Sequence, residues 1–171
     1  QYVLTSTGVV PAGFISQSDP WRPDRMVWPL LATVDEAAHA AWARPIADHL
    51  GLADTAWPRT DRRFAVASRL CRLFHSYGSQ RPTLILEWAA GTDTDGSGAP
   101  IPDDLRWQPT LWRALRARIG VPSPPERLGA ACRAVRDDPS CVDLPERISL
   151  FGPSRLPADQ LAILQSLSVH R

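Results

Sequence analysis

The chain contains no lysine and no asparagine, so each of its 19 basic residues is an arginine. Both missing residues are encoded by AT-rich codons, and a GC-rich coding sequence accounts for their absence. The lack of lysine has a chemical consequence all the same. No GxxxxGK[ST] motif exists, so ATP is not bound here through a P-loop. The cations that remain are planar, multidentate and able to stack. Cysteine is scarce: Cys71, Cys132 and Cys141 stand far apart, with no CxxC or histidine spacing that would build a zinc site. An odd number of thiols and no leader-like segment lead us to expect a reducing, cytoplasmic setting. No apolar run approaches the roughly 18 to 20 residues needed to span a bilayer. There is no GxSxG or comparable nucleophile motif. His39, His49, His75 and His170 are scattered without metal spacing. No catalytic constellation emerges, and no cofactor is expected.

What is present describes a globular chain. At 171 residues it has room for a core of its own without disulfides or metals. The net charge of +1 argues neither for nor against nucleic acid. The sequence begins at Gln1 rather than Met, and we expect it to be an excised piece of something longer.

The patterning is mainly helical. Residues 1–23 look like an irregular lead-in, in which QYVLTSTGVV can form a short strand. A first helix is expected from about Asp24 as N-cap, with Val27, Leu30, Leu31 and Val34 on one face and Pro29 in its early turns. RPIADHLG at 44–51 reads as a short helix closed by Gly51. Asp61 to Pro82, DRRFAVASRLCRLFHSYGSQRP, is a long amphipathic helix capped by Thr60 or Asp61. Its apolar stripe is Phe64, Ala67, Leu70, Cys71, Phe74 and Tyr77, at i, i+3, i+4 spacing. Arg62, Arg63, Arg69 and Arg72 lie largely off that stripe. PTLILEWAAG starts at Pro82 and stops at Gly91. A polar loop, TDTDGSGAPIPDD, precedes a helix at 107–119 with Leu111, Trp112, Leu115 and Ile119 inward and Arg113, Arg116 and Arg118 outward or sideways. Pro122, Pro124 and Pro125 break the chain before a short helix at 126–136, and DDPSCVDLPE is a further loop.

The end differs in kind. RISLF at 147–151 has the apolar run of a buried strand, Gly152 turns it, and ADQLAILQSLSVH continues helically from Pro157 through Leu161, Leu164 and Leu167. Strand, glycine turn and helix form one unit of an α/β sheet. A buried strand must pair its backbone groups, so this unit is expected to belong to a sheet completed by other sequence.

The acidic loop Asp93-Thr94-Asp95-Gly96-Ser97-Gly98 imitates the start of an EF-hand, with oxygen ligands at alternate positions. Pro100 and Asp104 then break the pattern, and a solvated loop is the simpler reading. Asp103 and Asp104 serve the N-terminus of the helix that follows, and Asp137 and Asp138 read as loop residues. What chemistry remains is binding chemistry: arginines on two helices, with seven tryptophans and Tyr77 able to stack on bases. Trp21, Trp28, Trp88, Trp107 and Trp112 sit where helices pack, which makes core duty the simpler assignment.

Three blocks in order, the 61–82 helix with its RP end, WQPTLWRAL at 107–115 and LPERISLFGPSRLP at 144–157, together with Glu87–Trp88, resemble the N-terminal part of the RecC family. Its members are the gamma subunits of exodeoxyribonuclease V. The resemblance runs from about Asp19 to Arg171. It implies a helical domain, 24–143, inserted in a degenerate superfamily 1 helicase-like α/β domain to which the strand-turn-helix unit 144–171 returns. It also implies a non-catalytic subunit of a helicase-nuclease in double-strand break repair and recombination. Such a subunit scaffolds RecB-like and RecD-like partners and channels single-stranded DNA past a surface that reads the Chi sequence. The positions that match that surface are Arg72, Leu73, His75, Arg81 and Arg127. Leu73 and Arg81 keep the family's residue. Arg72 and His75 stand where the family's pattern is acidic, which exchanges a preference for cytosine N4 for one toward guanine. Two other readings remain: a structural packing domain that never touches DNA, and a free-standing helical enzyme.

Overall fold

The computed structural model describes residues 2–5, 8–11, 19–50, 60–142 and 155–170. The described chain is mainly α-helical. β1 (Tyr2–Thr5) and β2 (Gly8–Pro11) pair antiparallel, Tyr2 opposite Pro11, and the hairpin runs beside the last two helices. Seven α-helices follow among the described residues: α1 (Pro23–Glu36), α2 (Arg44–Leu50), α3 (Thr60–Gln80), α4 (Pro82–Ala89), α5 (Trp107–Ile119), α6 (Pro124–Asp137) and α7 (Ala158–Ser168). The expected strand at 147–151 and its Gly152 turn lie outside the described residues, as does Gly51.

Several helix starts are set by proline. α1 begins with Pro23, and Arg22 rather than Asp24 occupies the cap; Asp24 lies in the first turn, paired with Arg22 at 2.9 Å. An acidic side chain there complements the helix dipole. Pro29 is accommodated inside α1, and Thr33 Oγ donates to the Pro29 carbonyl at 2.8 Å. Pro124 and Pro125 do not break the chain; they are the first turn of α6. The first N–H groups of a helix lack helical partners, so proline removes nothing there. Glu126 completes that start by accepting from Ser123 N–H and Oγ–H, each at 2.7 Å.

The core forms around tryptophan. Trp88 on α4 meets Phe74, Tyr77 and Trp112 edge to face, at ring-centroid distances of 6.4, 5.8 and 6.5 Å. Trp21 stacks on Trp112 at 5.7 Å. Such pairs add to the burial of large apolar surfaces. Both outer indoles satisfy their N–H groups: Trp21 donates to the Val121 carbonyl at 2.9 Å and Trp88 to the Thr94 carbonyl at 3.0 Å. Met26, Val27, Leu30 and Val34 of α1, Ala67, Cys71 and Phe74 of α3, and Leu111 and Leu115 of α5 fill the space between. Burial pushes the Cys71 thiol up to about 12, against the opposing charge of Arg72, as a core thiol should behave.

Two expected core positions are not in it. Trp28 is 69% exposed and Phe64 45% exposed, and they lie against each other at 5.9 Å. α1 turns Met26, Val27 and Leu30 inward, which leaves the Trp28 direction at the surface. α7 likewise turns Asp159, Ile163 and Ser166 inward, and Leu161 is exposed. Ile163 packs with Leu128 and Cys132 of α6 in a second, smaller cluster.

Candidate functional site

The stripe of α3 that enters the core leaves its flank free to line a groove. One wall is α2, which contributes Ile46 and His49; the other is α3, with Val66, Leu70 and Leu73; Trp107, the first residue of α5, closes one side. The groove has a volume of about 620 Å³, within the range of small-ligand sites. Arg69 and Arg72 stand on its α3 wall, three residues apart and so neighbours on the helix surface. No described residue that lines it is acidic.

Several other described arginines are already paired. Arg106 is held by Asp103 at 2.8 Å, Arg113 by Asp93 at 2.7 Å, Arg116 by Glu126 at 2.6 Å and Arg127 by Asp19 at 2.9 Å. Arg63 pairs with Asp35, and Arg118 with Glu36. Arg69 and Arg72 make no ion pair or side-chain hydrogen bond among the described residues. Both are exposed. Their charge is therefore not neutralised within the described fold, and a bound anion can use it.

The five positions singled out from the sequence do not meet in one place. Arg72 and Leu73 line the groove. His75, also exposed, faces the α6 side of α3, beside a water-sized cavity of about 20 Å³ that Trp21, Gly78 and Pro125 also border. Arg81 caps α4 and donates its Nη2 to the Asp95 carbonyl at 2.7 Å. Arg127 is drawn into its ion pair with Asp19, whose side chain is 8% exposed. Sequence reasoning missed Trp107, His49 and Arg69 as groove residues. Arg69 carried a signal, its i, i+3 relation to Arg72; the other two are brought in by the docking of α2 and α5, which periodicity cannot supply.

The acidic loop after α4 keeps its oxygens for itself. Asp95 Oδ1 accepts from Ser97 N–H at 2.8 Å, Ser97 Oγ–H at 2.7 Å and Ala99 N–H at 3.2 Å. The Ser97 hydroxyl and amide, with lesser help from Ala99 and Arg81, hold its carboxyl below the usual range despite some burial. Among the described residues no group of three or more His, Cys, Asp or Glu is placed to hold a metal ion. No described helix is long and apolar enough to cross a membrane.

Comparison with known proteins gives a single answer. The family described as RecC, N-terminal domain, matches residues 6–171. A RecBCD enzyme subunit RecC from Mycolicibacterium smegmatis is 42% identical over 158 residues, 91% of this chain and 14% of that protein. The RecBCD enzyme subunit RecC of Mycobacterium tuberculosis is 43% identical over 156 residues, covering 89% of this chain and 14% of its own length. That of Haemophilus influenzae is 25% identical over 191 residues, 93% of this chain and 17% of the relative. No solved structure matches. The chain thus spans about a seventh of the mycobacterial relatives' length, and over that span it belongs to the RecC family, as an N-terminal RecC segment.

Proposed function

We propose that this segment works within a non-catalytic RecC subunit of a cytoplasmic helicase-nuclease for double-strand break repair and recombination. In that reading it helps scaffold RecB-like and RecD-like partners and lines a channel for single-stranded DNA. The observation that carries it is the groove of α2, α3 and α5, with two unneutralised arginines and an aromatic side chain in its lining. Cationic tracks interleaved with aromatic faces are how unpaired strands are held. Arg72, Leu73, His75, Arg81 and Arg127 remain the proposed strand contacts, with Arg72 and Leu73 favoured by their place in the groove. Residues 24–143 form the inserted helical domain, and 144–171 return to a helicase-like α/β domain. The test is translocation by the intact complex on defined sequences. Arg72→Ala and Arg81→Ala are expected to alter sequence-dependent pausing or weaken strand tracking. Unchanged translocation on every sequence would remove both from the site.

One observation favours a second reading, a packing domain without DNA contact. Trp28 and Phe64 form an exposed apolar pair with Leu31 and Ala32 beside them, and such patches mark protein contacts. That reading expects the isolated segment to associate through this face and to show no strand affinity. The first expects strand affinity that falls steeply with salt.

A further inference from the structure

The lining of the α2–α3–α5 groove specifies more than a basic surface, and we infer that it seats one unpaired nucleotide, with the base laid on Trp107 and the phosphate held by Arg69 and Arg72. The inference rests on the strand-lining reading above and adds Arg69 and Trp107, which that reading did not name. Trp107 is half-buried, packed against the main core on one side and lining the groove on the other. An aromatic ring fixed in this way is a stacking platform that loses little freedom on binding. Ile46, Val66 and Leu70 give the groove an apolar floor suited to a base or sugar rather than to a hydrated ion. The two guanidiniums on adjacent turns of α3 supply the donors a phosphate takes in bidentate fashion.

Three other cavities among the described residues lack this combination. The one at Trp28 and Phe64 contains the Arg63–Asp35 ion pair, so its charge is already balanced. The one at Ala38 to Asp48 places Asp48 with Arg44 and has no aromatic residue except His39. The cavity beside His75 is too small for more than a water molecule.

The groove also limits what can be read. Among the described residues its lining has no Asp, Glu, Asn or Gln, the side chains that single out cytosine and adenine. With both arginines on the phosphate, the base is held by stacking. The seat therefore tolerates any sequence.

The experiment measures binding of a fluorescent single-stranded oligonucleotide to the intact subunit in its assembly, across a salt series. Arg69→Gln is expected to reduce the slope of log K against log salt by about 0.7, the value for one phosphate contact on a single strand. Trp107→Leu keeps apolar bulk and loses the stacking face; it is expected to weaken binding roughly tenfold, with Trp107→Phe restoring most of it. Arg133→Ala, on the exposed side of α6, serves as the control and changes neither quantity. If the parent binds the strand and Arg69→Gln leaves both affinity and slope unaltered, the nucleotide seat is overturned while the strand-channel reading stands. If the parent assembly binds no strand at all, the channel reading fails and the seat fails with it. Arg69 is exposed, so that variant decides the matter even if the Trp107 variants fold poorly.

Discussion

Ser79 donates its hydroxyl to the Asp159 carboxylate at 3.0 Å, joining the last turn of α3 to the first turn of α7. Asp159 is 4% exposed, so this is a buried charged acceptor, and Gln160 N–H gives it a further donor at 2.8 Å. Asp159→Ala is expected to destabilise the protein by about 1–3 kcal/mol, because Ser79 loses its partner and a cavity replaces the carboxylate. Asp159→Asn, which keeps an acceptor in place, is expected to recover most of that. Chemical denaturation of the pair checks it; equal midpoints for Ala and parent would sink the idea.

Glu126 ties three pieces of chain together. Burial raises its carboxyl, and the opposing pull of the Arg116 guanidinium and of the Ser123 amide and hydroxyl is greater, so the net position is below 4.5. A carboxylate depressed by folding stabilises in full above its unfolded value and loses that contribution as pH falls through the folded one. The parent is therefore expected to exceed Glu126→Gln in stability by about 1–2 kcal/mol at neutral pH, with the gap closing progressively below pH 4.5. Denaturation midpoints of both proteins along a pH series measure it, and a constant gap down to strongly acidic pH would refute the assignment.

The thiols should separate by reactivity. Only the thiolate is nucleophilic; burial pushes Cys71 up to about 12, and Cys132 is also buried whereas Cys141 is exposed. A thiol reagent is expected to modify one cysteine quickly in the folded protein and the other two only on unfolding. Mass spectrometry of the labelled peptides identifies which.

Gly96 and Gly98 make a controlled comparison. Both have positive φ, +84° and +91°, a conformation that strains any side chain. A Cβ at Gly96 would also lie 3.0 Å from the Leu84 backbone nitrogen, whereas nothing lies within 4 Å of one at Gly98. Gly96→Ala is expected to destabilise by about 1–3 kcal/mol and clearly more than Gly98→Ala. Thermal melts showing equal losses would mean that backbone conformation alone, without the close approach to α4, accounts for the effect.

The sequence showed the helical character and much of the core plainly. The α3 stripe from Ala67 to Tyr77 and the α5 positions Leu111, Trp112 and Leu115 follow helical period, and they pack where that period places them. It misled at Trp28 and Phe64. Met26, Val27 and Trp28 are three consecutive apolar residues, and which of them faces inward depends on how α1 docks on α3, a tertiary choice that no local pattern encodes. Pro124 and Pro125 misled for another reason: proline before a helix and proline opening one are alike until the capping partner, Glu126, is recognised. Asp159 was illegible, since an acidic residue in a first helical turn belongs at the surface unless a donor such as Ser79 waits across the interface. At the groove, the arginine spacing could be read from the chain, whereas the assembly of His49 and Trp107 around it required three helices to meet.

Arg69 and Arg72 are mounted on a helix whose opposite side is locked into the core by Ala67, Cys71 and Phe74. Their separation along the axis is three residue rises, about 4.5 Å, and no hinge lies between them. The backbone mounts of the two charges are therefore fixed, while the exposed side chains that carry the charges remain adjustable. The two guanidiniums can close on an anion from one rigid platform, and the ordering cost of gripping it falls on the side chains and not on the helix.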